Sequence, residues 1–199
     1  GALTEEDTPE AYILLILNGV KYFGISNIDI YNELMSLTWD RKYWDTRRGK
    51  VLNKHARANL CFDEKSSEAD YENKKGTIVG YDEVKNVKLL KDNIESITKL
   101  KNLVCEGNLY DDPELNGIGW HGDSERRVVI AARIGLPMFL KFQWYYKGKP
   151  VGKICEIKLK DGDMYIMSEK AVGTDWKKRN IYTLRHSAGG AKYTKPKSL

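Results

Sequence analysis

Beyond residue 103 the chain changes its period. Apolar residues there alternate every second position or fall in short runs, broken by Gly135-Leu136-Pro137, Lys147-Gly148-Lys149-Pro150 and Lys160-Asp161-Gly162-Asp163. Side chains on a strand repeat every two residues, and Gly, Pro and Asp supply the conformations a tight turn demands. The pattern therefore predicts strands at 103–109, 127–134, 138–144, 154–159, 164–167 and 179–186. Before residue 103 the spacing is mixed. An apolar run at 12–17 reads as a buried strand, and a polar stretch at 63–75 as a mobile surface loop. A helix is predicted at 27–37, with Ser26 or Asn27 as N-cap and Ile28, Tyr31, Leu34 and Met35 as its apolar stripe. A second is predicted at 82–100, where Val87, Leu90, Ile94 and Ile97 recur at helical spacing and read as core packing.

Helices packed outside a run of antiparallel strands imply an α+β protein with a double-sheet jelly-roll core, the N-terminal helices lying on one sheet. The chain has 199 residues and no repeat or Pro/Gly-rich linker. One domain over 1–199 is expected, with helices, strands and a substrate lid in 1–100, the rolled core in 101–190 and a basic tail in 191–199. The apolar run at 11–17 is too short to span a bilayer and lacks the basic flank of a signal peptide, so no membrane partner is expected. A formal charge of +5 suits a polyanionic partner without demanding one. Cys61, Cys105 and Cys155 are odd in number and far apart, which argues against a disulfide framework or a zinc ribbon. They fit a reducing, intracellular compartment, cytoplasm or nucleus, and a monomer is expected.

Only three histidines exist, His55, His121 and His186. One of them opens the triplet His121-Gly122-Asp123. On extended backbone an imidazole and a carboxylate two residues apart point the same way, giving two thirds of the facial triad that holds non-haem iron. Their neighbours extend the pattern in a fixed order: Asn108-Leu109-Tyr110, then the segment 118–125 around the triplet, then Arg133-Ile134-Gly135-Leu136-Pro137-Met138-Phe139, then 159–165, then Arg179 to Arg185.

That order resembles the AlkB-like family of Fe(II)- and 2-oxoglutarate-dependent dioxygenases acting on nucleobases, over about residues 100–190 and more faintly before them. The resemblance implies that His121 and Asp123 are catalytic iron ligands on one face of a strand. It makes Asn108 and Tyr110 contacts of the 2-oxoglutarate co-substrate. Arg179 and Arg185, six apart, match two arginines that would face the barrel interior with Ile181 and Thr183 and bind its carboxylates. Glu125 sits where the family places an acid near the target base. Trp39, Tyr43 and Trp44, beside Arg41, Arg47 and Arg48, suit stacking on an extruded base, or alternatively a half-buried core beside a wet surface. His55 reads as a surface residue, Trp120 as packing beneath the metal strand, and Lys192, Lys195 and Lys197 as a solvated basic tail.

The family's distal histidine follows the Gly-Asp turn by a dozen residues or more, and 167–178 contains none. Three arrangements remain open. His186 completes the iron site through irregular backbone, since Arg185 and His186 would otherwise point to opposite faces. Glu169 or Asp175 substitutes. Or the iron has two protein ligands or is absent. The functional expectation is an enzyme that uses Fe(II), 2-oxoglutarate and O2 to demethylate or hydroxylate a modified base in DNA or RNA, as in nucleic-acid repair. The alternatives are a protein side-chain hydroxylase on the same fold and a catalytically silent nucleic-acid-binding relative.

Overall fold

A computed structural model describes residues 9–195, so Lys197 of the expected tail lies outside the described residues. In chain order the elements are β1 (Ile13–Ile16), α1 (Gly19–Tyr22), α2 (Asn27–Met35), β2 (Lys42–Asp45), β3 (Lys50–Asn53), β4 (Ala58–Asp63), β5 (Ile78–Gly80), α3 (Lys85–Thr98), β6 (Cys105–Leu109), β7 (Gly117–His121), β8 (Val129–Ala132), β9 (Met138–Tyr146), β10 (Lys149–Leu159), β11 (Met164–Met167), α4 (Glu169–Val172), β12 (Thr183–Gly189) and α5 (Ala191–Thr194). The protein is mostly β-sheet with few helices. Its residues fall into two compact units, one joining the segment up to Gly19 with Asp112 onward, the other spanning Val20–Asp111.

The first unit contains an antiparallel sheet in the order β1-β11-β8 and another in the order β10-β9-β12-β7. Both contribute to one core. Leu140, Phe142, Leu159 and Leu184 come from the four-stranded sheet, and Met167 with half-buried Ile13, Leu15, Val129 and Tyr165 come from β1, β8 and β11. The period-two pattern explains this, because every second side chain of each strand is apolar and turns inward. β9 and β10 run longer than the spacing predicts. Their whole connection is Lys147-Gly148, both at positive φ (52° and 79°), which is the two-residue hairpin whose twist matches the strands. Pro150 is tolerated because β10 is an edge strand. Opposite Gln143, β10 bulges between Val151 and Cys155. The buried Gln143 amide donates to the carbonyls of Val151 and Gly152, satisfying what the ladder leaves open.

The second unit pairs β2 with β3 and builds a sheet in the order β5-β4-β6, with β5 parallel to β4. β6, expected as the first strand of the rolled core, belongs here. Leu60, Phe62, Val79, Tyr81 and Val84 form its centre, with Leu34, Leu37, Trp39 and Val87 packed around them. The α2 stripe is only partly inward. Ile30 and Leu34 meet the interior, whereas Ile28 (60% exposed), Tyr31 and Met35 face out. Similarly, α3 buries Ile94 and leaves Ile97 exposed. Val84, which precedes α3, makes no side-chain cap; Glu33 of α2 supplies one, accepting from the backbone N–H groups of Asn86 (2.8 Å) and Val87 (3.0 Å). The stretch expected to be a mobile loop is tied down instead. Ser67 bridges to Ile78, and the Asp70 carboxylate accepts from the Asn73 backbone and side chain.

Candidate metal centre

β7 ends at His121, and Asp123 lies just beyond it in a turn closed by the Arg126 N–H donating to the Asp123 carbonyl (3.3 Å). The pair therefore does not share one strand face, as the spacing predicts; the loop brings the two together. Gly122 makes this geometry available. A Cβ on it would meet the Gly173 carbonyl at 2.3 Å and Trp176 Cβ at 2.7 Å. The segment it touches is short and well terminated. Ser168 caps α4 by accepting from the Ala171 N–H, and Gly173 ends the helix in the left-handed region at φ 75°. From there the Val172 carbonyl accepts the Asp123 N–H at 3.0 Å, fixing the carboxylate's backbone.

His186 comes from β12. It is paired directly with His121, and the ladder between β12 and β7 slips just after this pair, between His186 and Ala188. Side chains directly opposite each other on neighbouring strands share a face, and the two imidazole rings lie 4.3 Å apart between centroids. His121 Nε2 is 3.8 Å from Asp123 Oδ1, and His186 Nε2 is 4.0 Å from Asp123 Oδ2. One ligand atom from each of the three residues lies within 4.8 Å of the others. Of the three arrangements left open by the sequence, the structure assembles the one with His186. Asp175 is engaged elsewhere, accepting from Lys170 Nζ at 2.7 Å, and Glu169 opens α4 outside the cluster.

The protonation pattern follows from the surroundings. His121 Nδ1 lies 2.7 Å from the Gly119 carbonyl, which places its proton there and leaves Nε2 as a lone pair facing Asp123. Burial pushes His186 down to about 4, helped by the neighbouring His121 and partly offset by Asp123 and the Ala171 backbone. His186 is only 7% exposed and is held neutral near pH 7. Arg126 approaches Asp123 Oδ2 at 3.5 Å from the solvent side; the sequence reading missed it. A cavity of about 200 Å³, lined among others by Tyr12, Trp144 and Lys153, shares Phe142, whose ring lies 6.2 Å from that of His186, with the walls of this region.

The other expected site residues are placed differently. β12 pairs regularly with β9 from Thr183 to Ala188, so Arg185 leaves the strand on the face opposite to His186. Its guanidinium lies 4.0 Å from the Tyr145 ring and 5.2 Å from the Trp176 ring. Arg179 is not on a strand at all, because β12 begins only at Thr183. It is exposed and donates to the Lys147 carbonyl (3.3 Å) at the β9–β10 turn. The two arginines thus do not face one interior. Within the Val20–Asp111 unit, Asn108 accepts from Arg57 Nε (2.8 Å) and from Asn59, and Tyr110 directly follows β6. Trp39 is a core residue, its indole N–H donating to the Leu34 carbonyl (2.9 Å) and its ring resting where Gly107 has no side chain. Tyr43 is exposed and Trp44 half-buried, and as neighbours on β2 they point to opposite faces. Glu125 is exposed in the turn after Asp123. His55 is exposed between β3 and β4.

Fold and cluster together define a mostly-β protein in which two histidines and an aspartate converge at the edge of a four-stranded sheet. No protein-family model matches the chain. It is 43% identical over 194 residues to an uncharacterized protein of Acanthamoeba polyphaga mimivirus, an alignment covering 98% of this chain and 76% of that one. The chain belongs to the family of that viral protein.

Proposed function

We propose that the chain is an Fe(II)- and 2-oxoglutarate-dependent dioxygenase of the AlkB-like kind, oxidising a methylated or otherwise alkylated base in DNA or RNA. One observation carries this reading: His121, Asp123 and His186 bring two imidazole nitrogens and a carboxylate oxygen within 4.8 Å of one another. Such a donor set fits a ferrous ion, for which two histidines and one carboxylate on one side leave open positions on the other. The two antiparallel sheets around one core support the double-stranded β-helix, or jelly-roll, arrangement for the unit that holds the cluster.

When bound, iron together with 2-oxoglutarate and O2 supplies the oxidising power to hydroxylate a C–H bond, with succinate and CO2 as by-products. An N-methyl group so hydroxylated departs as formaldehyde; a C-methyl group stays as an alcohol. The protein holds and aims. The Gly119 carbonyl fixes the His121 ring with Nε2 presented, burial keeps His186 neutral and able to donate its lone pair, and Val172 anchors the Asp123 backbone. Glu125, two residues beyond Asp123 and exposed, is the acid placed to accept a hydrogen bond from an exocyclic amine of the base.

Conversion of 2-oxoglutarate to succinate is measured with Fe(II), using methylated oligonucleotides and, separately, methylated peptides. Turnover coupled to the oligonucleotides supports the proposal. Turnover coupled only to peptides replaces the substrate class, and none with either refutes the oxygenase.

A further inference from the structure

β1 and β10 are edge strands of the two sheets that share the core of the first unit, and a cavity lies between them. The two edges differ in character. β10 carries Lys149, Pro150, Lys153, Glu156, Lys158 and a bulge, the devices that keep an edge from pairing. β1 has none of them. Its run from Ala11 to Leu17 contains no charge, proline or glycine, and Tyr12 and Leu14 are 62% and 57% exposed.

The backbone of β1 is half used. The Ser168 N–H donates to the Tyr12 carbonyl (3.0 Å), so the main chain of Tyr12, Leu14 and Ile16 faces β11. The N–H and carbonyl groups of Ile13 and Leu15 therefore point the other way, and no strand lies beside them among the described residues. A row of alternating donors and acceptors of this kind is matched by another extended polypeptide.

The cavity opens beside the same strand and has a volume of about 200 Å³. Ile13, Phe142, Trp144 and Leu184 line it, all of them part of the core between the sheets. Lys153, exposed, is the one charge in the lining, and no acid accompanies it there. A void of about 150 Å³ is enough to take benzene, so this one has room for a Leu or Phe side chain. A strand laid along β1 turns every second side chain to the core side of the sheet, where the cavity is. Open backbone, apolar hole and single cation thus describe one ligand.

We propose that β1 is a docking edge for an extended segment of another protein. The segment adds as a fourth strand to the β1-β11-β8 sheet, sets one large apolar side chain in the cavity and brings a carboxylate to Lys153. The inference goes beyond the dioxygenase reading and does not need the metal.

The test selects binders from a displayed library of random peptides of about seven residues, the length of the run at 11–17, with the full chain in EDTA and no co-substrate. The recovered sequences are expected to alternate apolar and polar residues and to contain an acid. Fluorescence anisotropy with one labelled peptide of that set then reads the site. Cys155→Trp, which fills the cavity from its exposed side, should weaken binding about tenfold or more. Lys153→Glu, an exposed change, should weaken it about tenfold and favour a peptide with Lys in place of the acid. Circular dichroism checks that both variants keep the sheet. Methylating alternate amide nitrogens of the peptide should abolish binding for one set and spare the other, since only one set faces β1. No enriched sequence, or wild-type affinity in both variants, overturns the docking edge. Equal effects of the two methylated sets overturn it too, because the peptide is then not paired as a strand. Displacement of the peptide by excess 2-oxoglutarate would assign the cavity to the co-substrate. A dimer seen by sedimentation and lost in Cys155→Trp would assign the edge to a second copy of this chain. Either result overturns the proposal.

Discussion

Replacing Gly122 by alanine should damage the metal centre more than its single methyl group suggests. The new Cβ would sit 2.3 Å from the Gly173 carbonyl oxygen and 2.7 Å from Trp176 Cβ. Carbon and oxygen in close contact lie about 3.3–3.6 Å apart, so one side must yield by about 1 Å. Neither neighbour is the tip of a flexible side chain. Gly173 is itself fixed at φ 75°, with the Leu184 carbonyl where its own Cβ would be. The loop carrying Asp123 is the part able to move, and it is tied to Val172 by one hydrogen bond. Overpacking of this kind costs about 1–3 kcal/mol, and a rigid double contact belongs at the upper end. Displacing a ligand's support lowers metal affinity by about 10–100-fold. Urea unfolding and calorimetric titration with Mn(II) measure the two effects. Gly119→Ala is the control, since its Cβ would meet only the Tyr193 carbonyl at an ordinary 3.8 Å, and both quantities should stay near wild type. Wild-type stability and affinity in Gly122→Ala would refute the claim that close packing against Gly173 sets the position of Asp123.

The metal-free protein should lose stability as the pH falls from about 6.5 towards 4. The folded-state pKa of His186 lies below its unfolded value, so the unfolded chain binds the proton first. Each pH unit in that window removes up to about 1.4 kcal/mol, and urea unfolding in EDTA of wild type against His186→Phe isolates the contribution. Arg126→Ala should raise Mn(II) affinity several-fold at low salt, because it removes a cation 3.5 Å from a ligand oxygen; titrations at low and high ionic strength read the change, which salt should shrink. Gln143→Ala should cost about 1–3 kcal/mol in urea unfolding, because the bulge carbonyls of Val151 and Gly152 lose their donor, while metal binding stays intact.

The sequence made local chemistry legible and long-range placement much less so. Alternation after residue 103 located six of the seven strands there and missed β7 (Gly117–His121), and Lys147-Gly148 marked a real two-residue hairpin, because turn conformations are written in adjacent residues. The β9 and β10 boundaries came out short because Pro150 reads as a strand breaker unless the edge position of β10 is known. His121 and Asp123 stood out by spacing. His186 entered only as one of three alternatives for the third ligand, since its pairing with His121 is a fact of register between strands sixty-five positions apart in the chain. Once β12 is known to start at Thr183, the parity argument for Arg179 and Arg185 fails, because parity counts only along continuous strand. Arg126 could have been noticed as the closing residue of a turn that begins at Asp123. Trp39 could not have been, since its burial depends on Gly107 of a distant strand.

The central claim is that His121, Asp123 and His186 hold one metal ion together. Anaerobic calorimetric titration of the full chain with Fe(II), repeated on His121→Ala, Asp123→Ala and His186→Ala, measures this directly. One equivalent bound by wild type, and at least a tenfold loss of affinity in each of the three variants, is the expected result. No binding in wild type, or unchanged binding in His186→Ala, would contradict it.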